Sequence, residues 1–142
     1  MRFWDASALL PLLVRERASA QMAQHYRDDT VVVTWWGTRI ECASALARLE
    51  HDGALSAEEV RAAFHRLDAA AATWVEVPAH DDVRAQAVRL LRIHRLRAAD
   101  ATQVAAAIVA ADHVPRSLSF VTLDARQGLA AEREGFPVLS AS

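Results

Sequence analysis

The sequence predicts an α/β fold, a three-layer α/β/α domain around a central, mainly parallel sheet. Two observations carry most of that expectation. Short β-branched or apolar runs alternate along the chain with longer segments of helical periodicity, the pattern of βαβ units. Only four glycines and four prolines occur in 142 residues. Loops should therefore be short, with no flexible linker dividing the chain, so residues 1–142 are expected to form a single domain.

Each element follows from its own residues. "RFW" is a short apolar run that leads to Asp5, and "SALLPLLVRE" after it is helical. "TVVVT" at 30–34 is β-branched and too short for a helix, so it reads as a buried strand. "GTRIECASALARLEHDG" places Ile40, Ala43, Leu46, Ala47 and Leu49 in a helical stripe, and Gly53 closes it as a C-cap. "SAEEVRAAFHRLDAAA" opens with Ser56 and, three residues on, Glu59, a capping box. "TWVEVP" at 73–78 is a second β-branched strand, followed by the helical "HDDVRAQAVRLLRIHR" and the alanine-rich "LRAADATQVAAAIVAAD". "LSFVTLD" at 118–124, "ARQGLAAEREG" and "PVL" then read as strand, helix and strand.

Composition narrows the function. An apolar share of 53% and a charged share of 24% describe a soluble globular chain. A formal net charge of −2 argues against a protein that coats polyanions, though a local basic patch would suffice for a nucleic-acid enzyme. All 16 basic residues are arginines. Arginine suits planar, bidentate partners such as phosphate, although coding bias is the favoured account of the pattern. Cys42 is the only cysteine, which rules out an intramolecular disulfide and fits a cytoplasmic setting. Asp5, then Arg15, Glu16 and Arg17, interrupt the N-terminal apolar residues, unlike a secretory signal. No apolar run approaches the ~20 residues of a membrane span.

The carboxylates carry the chemical signal. In an open α/β sheet, ligands bind at the carboxyl ends of the strands. Asp5 and Asp124 end two of the strands, while Glu41 and Asp100 lie near the starts of helices that begin at the same rim. Taken singly, three have a structural reading, Asp5 and Asp124 as N-caps and Asp100 as a partner of a helix dipole, whereas Glu41 is harder to dismiss because Ile40 and Ala43 beside it belong to the packed face. Gathered together they would repel one another and raise their pKa values, a cost that a divalent cation removes. Oxygen-only ligands select a hard cation, magnesium or manganese rather than zinc. The histidines at 25, 51, 65, 80, 94 and 113 show no ligand spacing and read as surface or interhelical groups.

Four fragments in order give this constellation a likeness: "FWDASAL", "RIECASAL", "LRAADATQVAAA" and "FVTLDARQGLAAEREGFPVL". Together they resemble the PIN-domain ribonucleases, specifically the VapC-type toxins of toxin–antitoxin pairs, over nearly the whole chain. The resemblance implies a metal-dependent endoribonuclease whose acidic quartet falls on Asp5, Glu41, Asp100 and Asp124. It places Ser7 and Thr122 at hydroxyl positions near the metal. It also implies magnesium or manganese as cofactor, an RNA substrate, a cognate VapB-like antitoxin and a homodimer. Arg15, Arg39 and Arg97 are the arginines chosen as phosphate clamps. Trp35 and Trp36 flank the expected site mouth, as core residues or as a stacking platform for a base.

Two other functions compete. A receiver or haloacid-dehalogenase-like phosphotransfer domain also has an aspartate after its first strand, but both are expected to use a lysine, and this chain has none. A non-catalytic PIN-like module that binds RNA or protein is the second. Pure binding gives no reason for four mutually repelling acids.

Overall fold

The structure, a computed structural model, describes residues 1–141. Its centre is a five-stranded, all-parallel sheet in the order β3-β2-β1-β4-β5. The strands are β1 (Arg2–Trp4), β2 (Val32–Trp35), β3 (Val75–Val77), β4 (Ser119–Val121) and β5 (Val138–Leu139). Helices α1 (Ala6–Leu13) and α2 (Ser19–Asp28) connect β1 to β2, and α3 (Thr38–His51) and α4 (Ala57–Ala71) connect β2 to β3. Helices α5 (Asp81–Ile93) and α6 (Ala98–Ala110) lead to β4, and α7 (Ala125–Arg133) leads to β5.

The three layers follow from the period-2 alternation of side chains along a strand. Phe3, Val33 and Phe120 stand in register and face α5 and α6, where they meet Leu90, Val104 and Ile108. The rings of Phe3 and Phe120 stack at 5.3 Å. Trp4, Val32 and Val121 face the other way, against Leu9, Met22, Leu46 and Leu67 of α1 to α4. Both faces are covered, so the three central strands carry buried apolar residues in succession, as parallel strands do. Ala101, Ala105, Ala106 and Ala107 of α6 are fully buried, which lets α6 lie close to the sheet and α5.

The capping box forms as the sequence predicts: Glu59 N donates to Ser56 Oγ at 3.1 Å, and Ser56 N to Glu59 Oε1 at 3.0 Å. Three expectations need correction. Helix α1 ends at Leu13 rather than continuing to Glu16: Pro11 removes one backbone donor, and Val14 is extended. Helix α2 was not anticipated, because it buries only Met22 and has no side-chain N-cap. In α3 the packed stripe runs through Thr38, Cys42 and Leu46, four residues apart, so Ile40 points outward and is 61% exposed. Gly37, between β2 and α3, has a spatial reason to be glycine: a Cβ there would lie 2.5 Å from Trp35 Nε1.

Candidate functional site

The chain steps from β1 through β2 to β3 on one side, then returns to place β4 on the other side of β1. Such a reversal leaves a crevice outside the carboxyl ends of the two central strands. Asp5 follows β1 directly, and its backbone N donates to Val121 O at the end of β4, 3.2 Å away. Thr122 and Asp124 follow β4. Helix α6 starts at this rim because it must run back across the sheet to begin β4, and it brings Asp100 in its first turn. Helix α3, which follows β2, brings Glu41.

Asp5 is fully buried. Its Oδ1 accepts from Ser7 Oγ at 2.7 Å and from Ala8 N at 3.1 Å, and its Oδ2 accepts from Thr122 Oγ1 at 2.7 Å. Both hydroxyls are themselves held by backbone donors, Leu123 N to Ser7 Oγ at 2.9 Å and Asp124 N to Thr122 Oγ1 at 3.0 Å. Desolvation nonetheless pushes the Asp5 carboxyl up to about 6, against the pull of these three hydrogen bonds, and the charge of Asp124 adds to the rise. Glu41 is likewise raised to about 6, first by burial and then by the charges of Asp5 and Asp100, while a hydrogen bond from Gln103 opposes the shift. Among the described residues, no arginine or histidine forms an ion pair with Asp5, Glu41, Asp100 or Asp124. The crevice gathers four acids, none of them in an ion pair among the described residues.

Two glutamines that sequence reasoning missed hold two of the acids. Gln103 of α6 is fully buried: its Nε2 donates to Glu41 Oε2 at 2.6 Å, and its Oε1 accepts from Thr38 Oγ1 at 3.2 Å. Gln127 of α7 donates from Nε2 to Asp100 Oδ1 at 3.1 Å, and its own buried Oε1 has no partner. The signal was a lone amide in each case on the buried face of a helix. Asp124 caps α7, its Oδ1 accepting from Arg126 N at 2.9 Å and Gln127 N at 3.0 Å. With Asp100, Arg97 and Arg126 it lines a shallow pocket of about 350 Å³. Cys42 is no nucleophile here, since burial and the charges of Glu41 and Asp5 push its thiol up to about 12.

The oxygen donor set and its lack of ion pairs among the described residues fit a hard divalent cation. The fit lies in chemistry and field, not in a finished cage. As the side chains stand, no three carboxylate, imidazole or thiol groups among the described residues are placed to hold one ion.

Of the chosen arginines, Arg97 reaches the acids, where it precedes α6 and lines the pocket with Asp100. Arg39 does not. Residues two apart lie on opposite sides of a helix, so Arg39 turns away from Glu41 and pairs with Asp68 of α4 at 2.7 Å. Arg15 lies beyond the far end of α1, roughly 12 Å along the helix from its start, and is exposed. His94 is interhelical, its Nε2 2.8 Å from Glu134 Oε2. Trp35 is half-buried against the α5–α6 core, whereas Trp36 is 54% exposed.

No protein-family model matches the chain, and no curated protein matches its sequence. Solved structures do. PAE2754 from Pyrobaculum aerophilum superposes with a TM-score of 0.63 at 20% identity, covering 98% of this chain and 87% of that one. FitAcB from Neisseria gonorrhoeae gives 0.63 at 19% identity, over 98% of this chain and 96% of its own. At such identities the likeness speaks for the fold alone: this chain has the PIN-like α/β/α fold, with its acids at the reversal of the strand order.

Proposed function

We propose that the chain is a divalent-metal-dependent endoribonuclease of the VapC type, the toxin of a toxin–antitoxin pair. The observation that carries the reading is the buried Asp5 at the strand reversal, in the field of other carboxylates and with no cation among the described residues paired to any of the four. A group whose burial raises its pKa by about two units is destabilising unless something else uses the charge.

Asp5, Glu41, Asp100 and Asp124 would hold magnesium or manganese. The cation, when bound, offsets the charge of a phosphodiester and makes water a stronger acid. Ser7 and Thr122 fix both oxygens of Asp5, and Gln103 and Gln127 each hold one further carboxylate from behind. Such partners orient the carboxylates they hold, and closing a cage around an ion takes a further movement of the acidic side chains. Arg97 and Arg126, at the edge of the acid pocket, are placed to take the oxygens of an incoming phosphate. The toxin reading adds a VapB-like antitoxin as partner, a homodimer as the working form and a cytoplasmic location. No helix of the described residues is long and apolar enough to cross a membrane.

A second reading, a non-catalytic PIN-like module that binds RNA or protein, draws on the absence of a finished ion cage. One assay separates the two. Labelled RNA incubated with manganese or magnesium should be cut internally and spared in EDTA, and Asp100→Asn should lower the rate by orders of magnitude. Equal cutting by Asp100→Asn would return this residue to a helix-dipole role. No cutting under any metal would leave the binding module.

A further inference from the structure

A second opening lies beside the acid pocket, between the α5–α6 connection and the outer face of α7. It has a volume of about 810 Å³, and Arg95, Arg97, Arg126 and Arg133 line it. No carboxylate is among its lining residues, and none of these arginines joins an ion pair of the described residues. The nearby Glu134 is already held by Arg89 and His94. A chain of formal net charge −2 therefore concentrates four guanidinium groups in one cleft, of which Arg97 and Arg126 also border Asp100 and Asp124, while Arg95 and Arg133 have no carboxylate among the cleft's lining. That cleft adjoins the acid pocket, with Arg97 and Arg126 lining both. Along α7, Arg126 and Arg133 are seven residues apart on one face, about 10 Å by helical rise.

We infer that this cleft binds a single-stranded stretch of RNA lying to one side of the phosphate that enters the acid pocket. Guanidinium groups spread along an opening match an anion whose charge repeats at every residue, and their forked donors suit phosphate oxygens. The cleft also exposes aliphatic side chains between the arginines: Leu91 is 42%, Ile93 59% and Leu129 48% exposed. A duplex keeps its base faces stacked inside and would leave these side chains in water, whereas unstacked bases can cover them. An acidic amphipathic protein helix would meet the same chemistry at the cleft. The adjoining acid pocket favours the strand, since a polynucleotide joins phosphates bound in the cleft to a scissile one next door. The inference rests on the nuclease reading for its choice of a strand over a helix, while the arginines and exposed aliphatic side chains of the cleft stand apart from it.

The test is fluorescence anisotropy with a labelled 12-nucleotide single-stranded RNA in EDTA, where cleavage is off. Arg95→Gln/Arg133→Gln should bind at least about tenfold more weakly. Its log K against log salt should be shallower by about 1.4, at ~0.7 for each lost phosphate contact. Arg61→Gln, an exposed arginine on α4, should change neither quantity. A 12-base-pair duplex and a dinucleotide should bind the native protein far less well than the strand. Melting curves verify that each variant folds, and Arg95→Lys/Arg133→Lys should recover most of the salt slope. An unchanged affinity and slope in the glutamine variant, or a duplex bound as tightly as the strand, would overturn the inference. So would an acidic helical peptide that occupies the cleft while RNA does not. RNA bound in EDTA yet left uncut with manganese would keep the cleft and defeat the nuclease reading. RNA cut equally at low concentration by native and glutamine proteins would defeat the cleft alone.

Discussion

Asp5→Asn should make the metal-free protein more stable at pH 7 and less stable at pH 4. The carboxyl is fully buried, and its pKa is raised from 3.8 to about 6, chiefly by desolvation. A folded-state pKa above the unfolded one means that the folded chain binds the extra proton. Below about pH 4 the group is protonated in both states, and its burial carries no charge penalty. As the pH rises from about 4 to 6 the penalty grows, and above that it is complete. About two units at ~1.4 kcal/mol each gives roughly 3 kcal/mol at pH 7, an upper bound.

Asparagine keeps the shape and abolishes the titration. It also presents an amide N–H where Ser7 Oγ or Thr122 Oγ1 now donates to oxygen, a mismatch costing about 1 kcal/mol. The net change is then a gain of roughly 2 kcal/mol at pH 7 and a loss of roughly 1 kcal/mol at pH 4. For a chain of this size the gain corresponds to about 6 °C in Tm. Thermal unfolding followed by circular dichroism in EDTA, in half-unit steps from pH 4 to pH 7, measures the difference. Asp29 and Glu59, whose pKa values hydrogen bonds hold low, lose stability in acid in both proteins and cancel in the comparison. A difference that stays constant across this range would refute the claim that Asp5 carries a buried charge.

Three further outcomes follow from the same site. Millimolar manganese or magnesium should raise the Tm of the native protein by binding only the folded state; a rise with zinc alone would sink the oxygen-donor argument. Gln103→Leu should weaken manganese binding about tenfold by calorimetry, because Glu41 loses the donor that orients it; unchanged affinity would make Gln103 a packing residue only. Expression of the chain alone should arrest a bacterial host, with relief by a cognate antitoxin; normal growth with soluble protein would remove the toxin reading and leave the nuclease.

The sequence displayed the fold well because each strand is a local event. "TVVVT" and "SFV" have no helical alternative of their length, and Ser56 with Glu59 announces its own cap. Helix α2 stayed hidden because its contribution to the core is the single side chain of Met22. Strand order supplied what propensity could not. Asp5 and Asp124 were recognisable as strand-end acids, but their meeting depends on β4 lying beside β1, a non-local choice. The arginines were harder still. Arg39 is close to Glu41 along the chain, yet helix geometry turns it to Asp68. Arg126 and Arg133 announced themselves only as an i, i+7 pair, a spacing that solvated helix faces also show.

The capping and functional readings of these acids are compatible, and the oxygens show why. Asp124 caps α7 with Oδ1 alone, which takes both backbone donors. Its other oxygen is not consumed by the cap. Asp5 caps α1 with Oδ1, and its Oδ2 is met by a hydroxyl instead of a cation. A cap in water needs neither full burial nor two hydroxyls placed by two further backbone N–H groups. An exposed aspartate cap contributes about 1 kcal/mol, less than the desolvation penalty that Asp5 carries at neutral pH. Capping therefore explains why an aspartate is tolerated at position 5, but not why it is sealed there beside Asp124. The surplus cost is what a bound cation would offset, and so the pH dependence of Asp5→Asn should vanish when manganese saturates the native protein.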